Sequence, residues 1–236
     1  MLGRFLELSV PAPRILESWQ WYQRLGFAPT TDGEVWAHRY AAVTDGRIAV
    51  GLHEAVLDGA WLTWVLPGLA THVARLEASG VAFDELTLGD DRFHEARFTT
   101  PDRHGARLLE ARTFSTPTAT PRMPLGWFEE IALPVSDLAA ARDYWETLGF
   151  VAAAEGEEPW PWVGLTSDTL SLALHATSGF DAPALVFSND DRGALAAHLA
   201  TAGVEPEKRL PRAVDPARHL WLKSPDGTIL WIVPPP

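Results

Sequence analysis

The chain has 236 residues, of which 47% are hydrophobic and 21% charged, a balance that is typical of a globular protein and excludes a fibrous or disordered one. With 19 basic against 31 acidic residues, its formal charge of −12 disfavours nucleic acid and anionic lipid surfaces as partners. The absence of cysteine excludes disulfides, thiolate nucleophiles and cysteine-based metal sites. We find neither a membrane-length apolar stretch nor a secretory signal, and expect a cytoplasmic protein.

In chain order, the first predicted elements are a strand over 5–10 and a helix over 14–25 that Gly26 ends. The turn sequence Thr44-Asp45-Gly46 predicts a hairpin between two extended runs. The remaining predicted elements of this half are extended runs at 35–43 and 47–53, a strand at 61–66 and a helix at 69–79.

A repeat relates the two halves of the chain. The segment FLELSVPAPRILESWQWYQRLGF at 5–27 returns as FEEIALPVSDLAAARDYWETLGF at 128–150, an offset of 123 residues without a gap. Near the ends of the halves, TTPDRHGARLL corresponds to KSPDGTILW. We align these with two extra residues in the first copy, so that Leu109 is equivalent to Trp231.

The repeat defines the predicted domain organisation. We expect a first domain over 1–115 and a second over 127–236, joined by a proline-rich linker over 116–126. Each domain contains two units of strand, helix and further strands. In the second domain the recurring elements are a helix that begins after Ser136 or Asp137, a strand at 184–188 and a helix at 192–202.

The motifs PVSDLAAARDYWETLGF at 134–150 and SPDGTILWI at 224–232 resemble those of the vicinal oxygen chelate superfamily. This superfamily includes glyoxalase I, the bleomycin-resistance and fosfomycin-resistance proteins and the extradiol dioxygenases. The resemblance implies an α+β fold of four βαβββ modules, which form two tandem glyoxalase-like domains whose curved mixed sheets enclose a cavity. In the enzymes of this superfamily, a divalent metal in the cavity chelates vicinal oxygens of the substrate.

The resemblance also indicates where metal ligands would stand. One position lies in the first strand of each half, and Glu7 and Glu130 occupy it. The three other positions hold residues without a metal-binding side chain, which are Gly51, Trp61 and Leu109 in the first half and Ala173, Ala184 and Trp231 in the second. We therefore expect a degenerate metal site with no tightly bound cofactor, and keep a divalent ion (Fe, Mn, Ni or Zn) as the alternative.

A histidine accompanies the glutamate in each half, because His53 and His175 are equivalent in the repeat. Glu7 with His53, and Glu130 with His175, are candidates for a general acid–base couple or for two ligands of a weak metal site. The alternatives are a solvent-facing or ion-paired glutamate and a hydrogen-bonded structural histidine. We interpret the other histidines as surface or helix-face residues: His38, His72, His94, His104, His198 and His219.

Eleven tryptophans provide wide apolar surface for a core or for a pocket that binds a ringed ligand. The candidate ligand contacts are Trp61, Trp231, Trp162 and Trp145, with core packing as the alternative. The run Pro159-Trp160-Pro161-Trp162 is interpreted as a rigid rim or an edge strand.

Three functions remain open from the sequence. The first is a binding module that holds a small aromatic or apolar molecule in a tryptophan-lined cavity, as bleomycin-resistance proteins do without metal. The second is a metal-dependent lyase, isomerase or ring-cleaving dioxygenase, and the third is metal-free acid–base catalysis by a Glu–His couple. We expect a small-molecule ligand as partner, and either a monomer or a homodimer.

Overall fold

The computed structural model describes residues 2–30, 36, 38–55, 57–89, 93–111 and 123–235. Most of the predicted linker over 116–126 therefore lies outside the described residues, as do residues 35 and 37 of the extended run predicted at 35–43. The domain boundaries drawn from the sequence stay a prediction.

The described residues of the first half form one mixed sheet of eight strands, in the order β2-β3-β4-β1-β5-β8-β7-β6. Its central strand β1 pairs in parallel with β4 and antiparallel with β5. The strands are β1 (Arg4–Pro11), β2 (Ala28–Pro29), β3 (Tyr40–Thr44), β4 (Ala49–His53), β5 (Trp61–Leu66), β6 (Glu85–Thr87), β7 (Glu95–Thr99) and β8 (Gly105–Glu110).

The second half forms a mixed sheet of seven strands, in the order β10-β11-β12-β9-β13-β15-β14. Its central strand β9 repeats the pairing of β1, because it is parallel to β12 and antiparallel to β13. The strands are β9 (Trp127–Val135), β10 (Val151–Gly156), β11 (Trp162–Thr166), β12 (Ser171–Ala176), β13 (Ala184–Ser188), β14 (Leu220–Lys223) and β15 (Ile229–Val233).

In the described part of the chain, one helix follows the first strand of each module, and these helices are α1 (Ile15–Arg24), α2 (Leu69–Ala78), α3 (Leu138–Thr147) and α4 (Arg192–Ala202). Asp137 is the N-cap of α3, since its carboxylate accepts a hydrogen bond from the Ala140 amide at 3.0 Å. Asp191 caps α4 in the same way, and Gly203 ends that helix in the left-handed conformation that glycine adopts without strain.

The fold is the expected α+β arrangement of two curved mixed sheets, with one departure in the last module. Among the described residues, two strands follow α4, where three follow each of the other helices. The segment 204–219, all of it described, forms no strand, and its Val214 packs in a small apolar cluster with Trp160, Trp221 and Trp231.

A larger apolar core joins the two halves. It contains buried side chains from both sheets and all four helices, and the rings of Phe27 and Phe187 meet across the two halves at 6.2 Å between centroids. Polar contacts reinforce this junction: His104 Nε2 donates to the Pro134 carbonyl at 2.8 Å, and Asp102 accepts hydrogen bonds from Ser136. The sheet faces that are turned away from this core are where the candidate sites lie.

Candidate functional site

Strand register fixes which residues of the two halves are equivalent. Glu7 lies opposite Thr63, which lies opposite Arg107 on β8. In the second half Glu130 lies opposite Val186, which lies opposite Trp231 on β15. Arg107 is therefore the counterpart of Trp231, and the sequence alignment that gave this place to Leu109 was wrong by two residues.

The misalignment arose at the turn before the closing strand. The Thr100 amide bonds to the His104 carbonyl in one half, as the Ser224 amide bonds to the Thr228 carbonyl in the other, so the turns are equal in length. Arg103 has φ +68° where Gly227 has φ +95°. A non-glycine residue in this left-handed conformation is uncommon. Because Arg103 stands where the other half has a glycine, the sequence did not reveal that PDRH matches PDGT without a gap.

In the first half, Glu7 is the centre of a buried polar network. Its side chain is 1% exposed and accepts hydrogen bonds from Ser9 Oγ at 2.7 Å, from the Tyr40 hydroxyl, and from His53 Nε2 at 3.0 Å. Thr63 bonds to Ser9 at 2.8 Å from the neighbouring strand. Three donors on one carboxylate offset the cost of burying its charge.

Gly51 makes room for this network. A Cβ atom at position 51 would lie 2.1 Å from Oε1 and 2.4 Å from Oε2 of Glu7. The carboxylate therefore occupies the space above the Gly51 backbone, and from there it reaches His53 two residues further along the same strand.

His53 also contacts a second histidine, His38. The distance from His38 Nε2 to His53 Nδ1 is 2.9 Å, which completes a chain from Glu7 through His53 to the partly exposed His38. These contacts are satisfied when His53 donates from Nε2 to Glu7 and accepts on Nδ1 from His38 Nε2. Burial lowers the pKa of His38, and the neighbouring His53 and Arg107 lower it further.

Arg107 and Trp36 close over this network. The Arg107 side chain is 2% exposed, and its guanidinium carbon lies 4.9 Å from the centroid of the Trp36 ring. Trp36 in turn packs edge-on against His53 at 4.7 Å. Burial lowers the pKa of Arg107, while Glu95, whose Oε1 lies 2.9 Å from Arg107 Nε, opposes that shift. In the first half, the space next to Glu7 and His53 is thus occupied by side chains of the protein itself.

The second half keeps the glutamate and loses its partners. Ala132 replaces Ser9, Val186 replaces Thr63, Trp162 replaces Tyr40, and Ala173 replaces Gly51. No hydrogen bond or ion pair joins Glu130 to another residue of the described part of the chain. Burial therefore raises the pKa of Glu130 to about 7, with a further contribution from the charge of Glu129.

His175 is buried beside this carboxylate without bonding to it. It is 4% exposed, and its Nδ1 accepts a hydrogen bond from Trp160 Nε1 at 2.9 Å. Since the indole N–H can only donate, neutral His175 carries its proton on Nε2. Nε2 is buried and has no partner among the described residues. Burial lowers the pKa of His175 to about 4, so the ring is neutral near pH 7.

A cavity of about 400 Å³ opens beside these two residues. Glu130, His175, Trp162, Trp231 and Val186 are among the residues that line it. His219, which also lines it, accepts a hydrogen bond on Nδ1 from Trp231 Nε1 at 3.0 Å. The volume lies in the range of small-molecule sites, and apolar walls with few polar groups are typical of them.

The structure brings some of the predicted site residues together and separates others. Glu7 with His53, and Trp162 and Trp231 with Glu130 and His175, share a site in their respective halves. Trp61 lies elsewhere, in a cavity of about 510 Å³ between the halves, with its Nε1 bonded to Asp58. Trp145 is 1% exposed and packs edge-on against Phe150 in the core, away from the cavity.

Several site residues were missed in the sequence. Of the histidines interpreted as surface or helix-face residues, His104 is 6% exposed, so that interpretation was wrong for it, whereas the half-buried His38 and His219 each contact a candidate site. Tyr40 and Arg107 were missed as well. Tyr40 could have been found from its place opposite His53 in the predicted hairpin, and Arg107 from an ungapped alignment of the closing turns.

The donor set does not fit the divalent metal of the superfamily's enzymes. Catalytic metal sites use three or more protein ligands, and the described residues bring together no three His, Asp or Glu side chains that could hold one. In the first half both Glu7 oxygens are engaged and the cation Arg107 stands at the closing position. In the second half, Trp231 occupies that position.

Comparisons with known proteins agree with this architecture. Residues 127–232 match the family model described as the Glyoxalase/Bleomycin resistance protein/Dioxygenase superfamily. The fold of the whole chain is similar to that of a catechol 2,3-dioxygenase, with TM-score 0.65, 16% identity, and coverage of 100% of this chain and 90% of that one. No curated protein matches the chain.

Two further solved structures share the fold. One is an extradiol ring-cleaving dioxygenase from B. fuscum, with TM-score 0.68, 12% identity, and coverage of 99% and 72% of the two chains. The other is a Mn(II)-bound glyoxalase from Novosphingobium aromaticivorans, with TM-score 0.66, 14% identity, and coverage of 99% and 82%. The second half of the chain thus matches the glyoxalase and dioxygenase superfamily, and the whole chain has the fold of these solved structures, with two tandem domains.

Among the described residues, no helix has the length and apolar character to cross a membrane.

Proposed function

We propose that this protein binds a small, largely aromatic or apolar molecule in the cavity of its second half, without a metal ion in the site. The observation that carries the proposal is the cavity of about 400 Å³ with Trp162 and Trp231 in its wall and an unpartnered His175 N–H beside it. The indoles offer flat apolar surface for a ring, and the imidazole offers one donor that would orient a ligand.

The metal-dependent alternative has less support. A lyase or dioxygenase of this superfamily would need a ligand set that the described residues of neither half supply. The acid–base alternative is also weak in the second half, because Glu130 and His175 do not bond to each other. In the first half the couple exists, but Trp36 and Arg107 occupy the adjoining space.

Fluorescence titration with a panel of small aromatic compounds tests the proposal. We expect saturable quenching of indole emission by some members of the panel, and an affinity at least about fivefold lower in Trp162→Phe, because that ring lines the cavity. Trp61→Phe is the matched control, since Trp61 lies outside this cavity and its loss leaves the affinity unchanged. Saturable binding that Trp61→Phe weakens and Trp162→Phe does not would overturn the proposal.

A further inference from the structure

The charged groups around the second-half cavity are all acidic. Glu129, Glu130 and Glu158 line it, and no lysine or arginine does so among the described residues. His175 adds no positive charge, because burial lowers its pKa to about 4. Such a lining repels anions and attracts cations at close range, since the apolar walls weaken dielectric screening.

Two indole rings stand in the same lining. Trp162 is half-buried, and its ring lies over Gly156, where an added Cβ would come within 2.6 Å of Nε1. Trp231 packs against both Trp160 and Trp221 in an aromatic cluster. The face of an indole is the best aromatic surface for a cation. The tryptophan walls and the acidic groups of the cavity therefore both favour a cationic ligand.

Glu130 is the acidic group of this lining that lacks a partner among the residues the structure describes. Glu129 is hydrogen-bonded by Ser188, and Glu158 is exposed to solvent. Ser9, Thr63, Tyr40 and Arg107 have the apolar counterparts Ala132, Val186, Trp162 and Trp231 around Glu130, and His175, the counterpart of His53, does not bond to it. Burial and the like charge of Glu129 raise the pKa of Glu130, and a bound cation would supply the compensating charge that its neighbours do not.

We propose that the ligand of the second-half cavity is an organic cation, an ammonium group on an aromatic or apolar body, with its charge against Glu130 and its body against Trp162 and Trp231. This inference rests on the proposed function and narrows it to one chemical class. The unpartnered Nε2–H of His175 adds a donor for an acceptor atom on the ligand body.

A charge series of near-isosteric probes tests the inference at pH 8, where Glu130 is ionised. Phenyltrimethylammonium is the cation, tert-butylbenzene its neutral isostere and benzenesulfonate the anion. We expect the cation to bind about tenfold more tightly than the neutral isostere and the anion to show no saturable binding, since a desolvated cation–π and carboxylate contact is of that size.

Glu130→Gln should remove most of the preference for the cation and leave the affinity for tert-butylbenzene unchanged. Glu155→Gln is the matched control, because Glu155 is exposed, lies outside the cavity lining and changes the net charge equally. Equal affinity of the wild-type protein for cation and isostere would overturn this inference and leave the proposed function standing. Equal losses in both variants would overturn it too, whereas no binding of any probe would contradict the proposed function itself.

Discussion

The two halves place the same glutamate at the centre of the same sheet and surround it with opposite chemistry. Around Glu7 the neighbouring strands supply a serine, a tyrosine and a histidine, and the carboxylate is buried with all its hydrogen bonds. Around Glu130 the serine and the tyrosine are replaced by Ala132 and Trp162, the equivalent His175 does not bond to the carboxylate, and an open cavity remains. A duplicated scaffold can thus use one copy for a closed polar network and keep the other available for a ligand, and the neighbours decide which.

The strongest test of this comparison exchanges glycine and alanine at two equivalent positions, Gly51 in the first half and Ala173 in the second. In Gly51→Ala the new methyl group collides with the Glu7 carboxylate and breaks its bond to His53, so we expect a loss of about 3–4 kcal/mol in the free energy of unfolding. Urea denaturation measures it.

Ala173→Gly is the matched variant in the second half, where no such collision exists. Its expected cost is about 1 kcal/mol, from the greater freedom of glycine in the unfolded chain. Similar losses in the two variants would contradict the distinction between the halves.

The pH dependence of stability should separate Glu130 from His175. The folded pKa of Glu130 is about 7 against an ordinary 4.5, so the folded state holds a proton that the unfolded state has lost, and stability falls as pH rises from about 4.5 to 7. The folded pKa of His175 is about 4 against 6.5, so its contribution rises with pH from about 4 to 6.5. The two contributions oppose each other over most of this range.

Single variants separate these two contributions to the pH dependence of stability. In Glu130→Gln only the His175 contribution remains, so the free energy of unfolding should rise between pH 4 and 6.5. In His175→Gln only the Glu130 contribution remains, so the free energy of unfolding should fall between pH 4.5 and 7. Each change relative to the wild type should reach up to about 3 kcal/mol. Urea midpoints at half-unit steps of pH measure both. Parallel curves for the wild type and the two variants would show that neither group is perturbed.

The hydrogen bond between Trp160 and His175 allows a smaller test. Trp160→Phe leaves His175 Nδ1 buried without a donor, and we expect a loss of about 1–2 kcal/mol together with a mixture of imidazole tautomers. Nitrogen chemical shifts of labelled histidine report the tautomer. Trp231→Phe is the comparison, because its acceptor His219 is only half-buried and water can replace the indole donor.

The smallest expected effect concerns the closing turns. Arg103→Gly should stabilise the protein by up to about 1 kcal/mol, since glycine adopts the positive φ of this position without strain. Gly227→Ala at the equivalent turn should cost a similar amount. A thermal shift of the opposite sign for Arg103→Gly would show that the arginine side chain has a stabilising role.

The sequence predicted the duplicated α+β fold because the repeat and its framework motifs extend over both halves. It predicted the Glu–His pairs for the same reason, since Glu7 and His53 recur as Glu130 and His175. It did not predict which pair makes a hydrogen bond. That depends on a steric detail, the missing Cβ of Gly51, and on neighbours such as Tyr40 and Arg107 that strand pairing brings in from distant segments.

Hydrogen bonds across the halves have a consequence for the integrity of the protein. Thr169 accepts from the Phe5 amide and donates to the Gly3 carbonyl, while His104 and Asp102 bond to β9 and the turn after it. With a shared apolar core beneath them, these bonds should hold the halves together even after the backbone is severed between 112 and 122. Two separately produced fragments would then reassemble on mixing, and the cavity of one would depend on the presence of the other.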